Sequence, residues 1–168
     1  MHQQLLIEKI SSVLAATDNT YDEKLTQVLD KASRIFVTGA GRSGLVARFF
    51  SMRLMHAGYN VYIVGEIVTP SIQNGDLFIV ITGSGETETM IAYTKRAKAV
   101  GAQIVTISTK SKSTIADMSD LVCQIGNPDQ YSKVVGMPMG TTFELSTMIF
   151  LEAIVSHIIH KKGIAEES

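Results

Sequence analysis

A three-layer α/β/α domain built on a parallel sheet is the fold class this sequence predicts, and three observations carry it. From Arg34 onward, short apolar segments alternate with longer amphipathic ones, the pattern of strands and helices taking turns along the chain. The short segments are rich in Val and Ile and apolar throughout, as strands covered on both faces are. One strand–loop–helix device appears twice, first with Thr38-Gly39-Ala40-Gly41-Arg42-Ser43 and again with Thr82-Gly83-Ser84-Gly85-Glu86-Thr87.

The elements follow in order. Leu5, Leu6, Val13 and Leu14 recur at helical spacing and predict a first helix. Thr17-Asp18-Asn19-Thr20 interrupts it. Thr20 with Glu23 then reads as a capping box opening a second helix to about residue 32. Strands are expected at 35–38, 61–64, 77–82, 104–108 and 121–125. Helices are expected at about 44–57, 88–100 and 113–118, with Gly58 and Gly101 closing two of them before the next strand. A long last helix starts near residue 142 and runs to about 160. The whole chain, 1–168, is expected to be one domain: N-terminal helices over 1–33, an α/β core over 34–162, and a polar, frayed tail over 163–168.

Composition fits this and narrows the function. A chain of 168 residues suits one domain that hides roughly 70% of its unfolded surface. With 45% hydrophobic and 18% charged residues and a net charge of −1, it has no basic field to attract nucleic acid. The single cysteine, Cys123, excludes an internal disulfide, and its apolar run 121–125 predicts a buried thiol. Met1-His2-Gln3-Gln4 does not begin a basic-then-apolar leader. No apolar run approaches the roughly 18 residues of a spanning segment. A cytoplasmic protein with no membrane partner is expected.

Both loops read T-G-x-G-x-[S/T]. Glycine lets backbone approach a ligand closely, and the helix that follows offers free N–H groups and a partial positive charge. The hydroxyls of Ser43, Ser84 and Thr87 add donors. The loops therefore read as two phosphate cradles, which meet at the switch point of the sheet if the first and third strands are neighbours. The alternative is that the glycines only make tight turns and the hydroxyls only cap helices. Gly39-Ala40-Gly41-Arg42-Ser43-Gly44 also fits the dinucleotide fingerprint, with Glu66 about 20 residues on. A nicotinamide-dependent oxidoreductase is thus a rival reading. It leaves the second loop without a purpose and the chain without a substrate domain. No P-loop signature is present.

At these loops the sequence resembles the SIS (sugar isomerase) family, whose phosphate loop typically reads S-x-S-G-x-T, with Thr82 in place of the first serine. Within it the sequence is most similar to the 6-phospho-3-hexuloisomerases. That likeness rests on residues 39–43 with Arg42, on residues 52–58 running into Val64-Gly65-Glu66, and on Met137-Pro138-Met139-Gly140-Thr141-Thr142-Phe143-Glu144. The resemblance implies a five-stranded parallel sheet in flavodoxin-like order, a homotetramer, and interconversion of D-arabino-3-hexulose 6-phosphate and D-fructose 6-phosphate in the ribulose monophosphate route of formaldehyde fixation. It implies no cofactor and no metal. Gly41, Arg42, Ser43, Thr82, Ser84, Gly85, Thr87 and Thr141 are then the expected substrate-binding residues.

Moving a carbonyl by one carbon needs a base, a donor near the oxygens and an anchor for the phosphate. Glu144 is the candidate base, placed after the irregular stretch 126–140. It can equally close a capping box with Thr141. His56 is the candidate for ring opening or proton relay, in its own or a neighbour's site, or is simply a helix C-terminal histidine favoured by the dipole. Arg42 could pair with phosphate or an enediolate, or be an exposed turn arginine. Glu86 is expected to face solvent or to pair with Arg42. Glu152 is expected to be structural or at an interface, His157 and His160 at the surface, and His2 disordered. Met52, Met55, Met137, Met139 and Met148 are expected to fill core and interface. A sugar-phosphate sensor of the same fold without catalysis is the remaining alternative.

Overall fold

The computed structural model describes residues 1–164. Five strands, β1 (Ile35–Gly39), β2 (Val61–Ile63), β3 (Leu77–Ile81), β4 (Gln103–Ser108) and β5 (Leu121–Gln124), form one sheet in the order β2-β1-β3-β4-β5. Every pairing is parallel. Six α-helices accompany them: α1 (His2–Ala15), α2 (Tyr21–Lys31), α3 (Arg42–His56), α4 (Glu88–Ala99), α5 (Thr114–Asp117) and α6 (Thr141–Lys162). The three-layer expectation holds.

The alternation of side chains across a strand sorts the sheet residues between two cores. Ile35 and Val37 of β1 and Leu77, Ile79 and Ile81 of β3 face the layer of α1, α2, α3 and α6. Phe36, Phe78 and Val80 face α4 and α5. Both faces are apolar because both are covered. Truncating a fully buried residue such as Leu77 to Ala would cost roughly 2–5 kcal/mol. Cys123 is buried, as expected, and burial pushes its thiol up to about 12.

Several local expectations are corrected. Thr20 does not cap α2: its N–H donates to the Asp18 carboxylate at 2.8 Å, and its side chain caps nothing. Glu23 instead pairs with Lys161 at 2.8 Å and lies 3.4 Å from His157, which is therefore half-buried between elements rather than a free surface residue. The last helix runs past its expected end near 160 and includes Lys161 and Lys162. Its end is clasped, because Lys162 reaches Asp30 at 2.6 Å and Tyr59 at 2.9 Å. The rest of the expected tail, 165–168, lies outside the described residues. His2 is ordered in the first turn of α1. Gly58 and Gly101 do take the left-handed conformation after their helices.

Helix α6 also corrects the reading of apolar runs. It has 22 residues and a mean hydropathy of 1.4 over its best window, long and apolar enough by composition to cross a membrane. Polar residues such as Glu144, Ser146 and Thr147 break the run in sequence, yet they do not lower its mean enough to exclude it. Half of that window is buried, and Phe143, Phe150, Leu151, Ile154, Val155 and Ile158 belong to the core. Packing makes it the central helix of its layer.

Candidate active site

Strands β1 and β3 are neighbours in register from Ile35↔Leu77 to Gly39↔Ile81. The chain leaves β1 for β2 on one side and β3 for β4 on the other. The loops after β1 and β3 therefore diverge from one point, which opens a crevice at the carboxyl ends of the strands. The first loop is shorter than expected: β1 ends at Gly39 and α3 already begins at Arg42, so Arg42 and Ser43 stand in the first helical turn. Gly41 is the N-terminal flanking residue of α3. That tight entry demands Gly39, since a Cβ there would lie 2.6 Å from the Ser43 backbone.

The second loop is tied down from within and from behind. The Gly85 N–H donates to the Thr82 hydroxyl at 3.1 Å, and the Glu86 N–H to the Ser84 hydroxyl at 3.1 Å. Thr87 flanks the N-terminus of α4 without a side-chain cap. Gly85 has φ of +70°, and a Cβ there would collide with the Ser113 hydroxyl. The exposed Glu86 neither points at the crevice nor reaches Arg42. It accepts from the Thr114 N–H at 2.9 Å and the Thr114 hydroxyl at 2.5 Å, and these bonds hold its carboxyl below the usual range.

The first turn of α6 joins the two loops. Glu144 is 8% exposed, and both its oxygens accept from the Arg42 Nε, at 2.5 and 3.0 Å. Next to it Phe143 packs where a Cβ on Gly83 would come within 3.5 Å of the ring. Thr141 is also buried in that turn. The alternative reading, a capping box, is absent: the Thr141 N–H donates to the Pro138 carbonyl, and Gly140 flanks the helix without a side-chain cap. The Glu144 carboxylate is thus committed to Arg42. Arg42 itself keeps a side chain that is 67% exposed, so its remaining N–H groups can meet a ligand.

His56 is not brought to this cluster. It is exposed at the C-terminal end of α3, whose N-terminus carries Arg42. A helix of 15 residues puts roughly 20 Å between them. Met52 and Met55 are exposed beside it, so these methionines are not core filler in this chain. Glu152 pairs with Arg53 at 3.1 Å. Sequence reasoning missed Ser108 and Thr109 at the end of β4, whose hydroxyls both bond the second loop. Two hydroxyl residues closing an apolar strand were the available signal.

The dinucleotide reading loses its support. The strand order differs from the Rossmann order, and the acidic residue it needs, Glu66, pairs with Arg48. Among the described residues no group of three or more His, Cys, Asp and Glu side chains is arranged to hold a metal ion.

Both the sequence and the fold have known relatives. The chain is 52% identical over 168 residues to the 3-hexulose-6-phosphate isomerase of Methylomonas aminofaciens, covering 99% of this chain and 93% of that one. It is 38% identical over 153 residues to the enzyme of that name from Methanocaldococcus jannaschii, covering 89% and 82%. A crystal structure of a hypothetical protein from Methanococcus jannaschii, described as inferring a 3-hexulose-6-phosphate isomerase function, superposes with a TM-score of 0.87 at 33% identity, covering 98% of this chain and 93% of that chain. The SIS domain profile matches residues 28–156, and on that match the chain belongs to the SIS domain family.

Proposed function

We propose that this protein is a sugar-phosphate isomerase that interconverts D-arabino-3-hexulose 6-phosphate and D-fructose 6-phosphate. The observation that carries the reading is the buried Glu144 held by Arg42 between two glycine- and hydroxyl-rich loops at the switch point. The names of the relatives at 52% and 38% identity supply the substrate.

The residues fit the reaction. Ser84, Thr87 and the N–H groups opening α3 and α4 bind the phosphate, with Gly41, Ser43, Thr82, Gly85 and Thr141 shaping the cradle. Glu144 takes the proton from C2 of the 3-ketose and leaves a 2,3-enediolate. Arg42 stabilises the negative oxygen. The proton returns to C3, the C2 hydroxyl proton moves to the C3 oxygen, and the carbonyl now stands at C2. No atom is gained or lost, and no redox partner is required by this scheme. The step belongs to the ribulose monophosphate route, and a substrate carrying a phosphate dianion favours a cytoplasmic site of action.

We further propose a homotetramer. Leu45, Phe49, Met52, Met55 and Ile149 leave large apolar surface exposed on α3 and α6, and a hollow of about 270 Å³ between Phe49, Leu145, Met148 and Ile149 adjoins it. So wide an apolar patch suits a protein partner, and a second copy seated there would let His56 serve a neighbour's site. The function is tested by mixing the pure protein with 3-hexulose 6-phosphate and following fructose 6-phosphate. Absence of product at micromolar enzyme, with phosphate still bound, would favour a sensor.

A further inference from the structure

The Gly83 carbonyl is held by an unusual number of donors. The Thr109 hydroxyl reaches it at 2.7 Å, the Ser108 hydroxyl at 3.1 Å and the Thr109 N–H at 3.2 Å. The Ser108 oxygen also accepts from the Lys110 N–H at 3.3 Å. An oxygen that is accepting there must turn its own hydrogen elsewhere, and the Gly83 carbonyl is the acceptor in reach. The lock has a direction. In a trans peptide the C=O and the following N–H point opposite ways. Thr109 and Ser108 lie at the end of β4, and β3 stands between β4 and β1. A Gly83 carbonyl drawn toward β4 therefore sends the Ser84 N–H toward β1, the side of the first loop, Arg42 and Glu144. Among the described residues that N–H meets no acceptor. Donors on the carbonyl also polarise the peptide and make its N–H a stronger donor.

We infer that Ser108 and Thr109 are positioning residues of the phosphate cradle: together they fix the Gly83–Ser84 peptide so that the Ser84 N–H is aimed at the bound anion. This rests on the reading of the two loops as a phosphate site. The residues touch no substrate and act only through the loop. Free in solution, that peptide could rotate, and part of the binding energy would be spent on ordering it. The neighbouring bonds, Ile115 N–H to the Gly85 carbonyl and Thr114 to Glu86, brace the far half of the loop but leave this peptide to Ser108 and Thr109.

The test compares Thr109→Val, Thr109→Ser and the double change Ser108→Ala with Thr109→Val in the full chain. Inorganic phosphate binding is read by calorimetry, KM and kcat by the isomerase assay, and Tm by melting. The double variant is expected to bind phosphate about tenfold more weakly and to show a matching rise in KM, with kcat within about twofold. Thr109→Val, which keeps the Ser108 and backbone donors, falls between, and Thr109→Ser restores wild-type values. A folded double variant with wild-type phosphate affinity overturns the inference and leaves the phosphate site standing. If the double variant does not fold, Thr109→Val against Thr109→Ser decides: equal affinities overturn the inference. A wild-type protein that binds no phosphate overturns both readings.

Discussion

A carboxylate 8% exposed and 2.5 Å from a guanidinium has work other than capping its helix. The Glu144→Gln variant separates the roles of that site. Glutamine can still accept from Arg42, so the turn stays formed and Tm changes by only a few degrees. It cannot take a proton from carbon, so kcat should fall by roughly 10² or more while KM moves little. Near wild-type kcat in this variant would move the base to His56. Cys123 gives a second forecast at this scale. Burial raises its thiol from 9.0 to about 12, so the buried thiol resists ionisation. Its contribution is fully present below pH 9.0 and is lost as pH rises toward 12. Cys123→Ala should flatten the alkaline fall in Tm, and native Cys123 should react with a thiol reagent only after unfolding. Rapid modification of the native protein contradicts this.

Among the elements, the second loop and the α4 N-terminus form the proposed phosphate anchor. Replacing Ser84 or Thr87 with Ala should lower kcat/KM by about tenfold or more, from one or two lost charge-assisted hydrogen bonds. Unchanged kinetics in both variants would remove the phosphate role. These loops were legible in the sequence because glycine and hydroxyl residues recur at fixed offsets after apolar strands. The strands were legible because a doubly covered sheet writes continuous Val and Ile. The ends of helices were not. Thr20–Glu23 and Thr141–Glu144 both carry the capping-box pattern, yet Glu23 is drawn to Lys161 and Glu144 to Arg42. A charge from a distant element outbids a local N–H, and no local pattern records that partner. The same holds for Lys162, which ends α6 in the grip of Asp30 and Tyr59. Burial alone would raise the Asp30 pKa, but the bonds from Lys162 and Tyr59 outweigh it and hold the carboxyl below its usual range. Ser108 and Thr109 were passed over because their role appears only once β4 is placed beside β3.

At the scale of the molecule, two apolar faces of one sheet build the frame, and the candidate site gathers at its switch point. Arg42 comes from α3, Ser84 from the loop after β3 and Glu144 from α6, so no single segment carries the site. The apolar surface on α3 and α6 forecasts self-association: light scattering at micromolar concentration should return a multiple of the 18.3 kDa chain mass, and a monomer mass would refute it. Replacing exposed Phe49 with a charged residue should lower that mass if the patch is the interface. One progress curve tests the proposed reaction. Purified protein is given 3-hexulose 6-phosphate, with Glu144→Gln as control, and fructose 6-phosphate is measured over time. The proposed reaction predicts enzyme-dependent conversion that the control loses by roughly 10². Binding of the sugar phosphate with no conversion by the wild-type protein would contradict it.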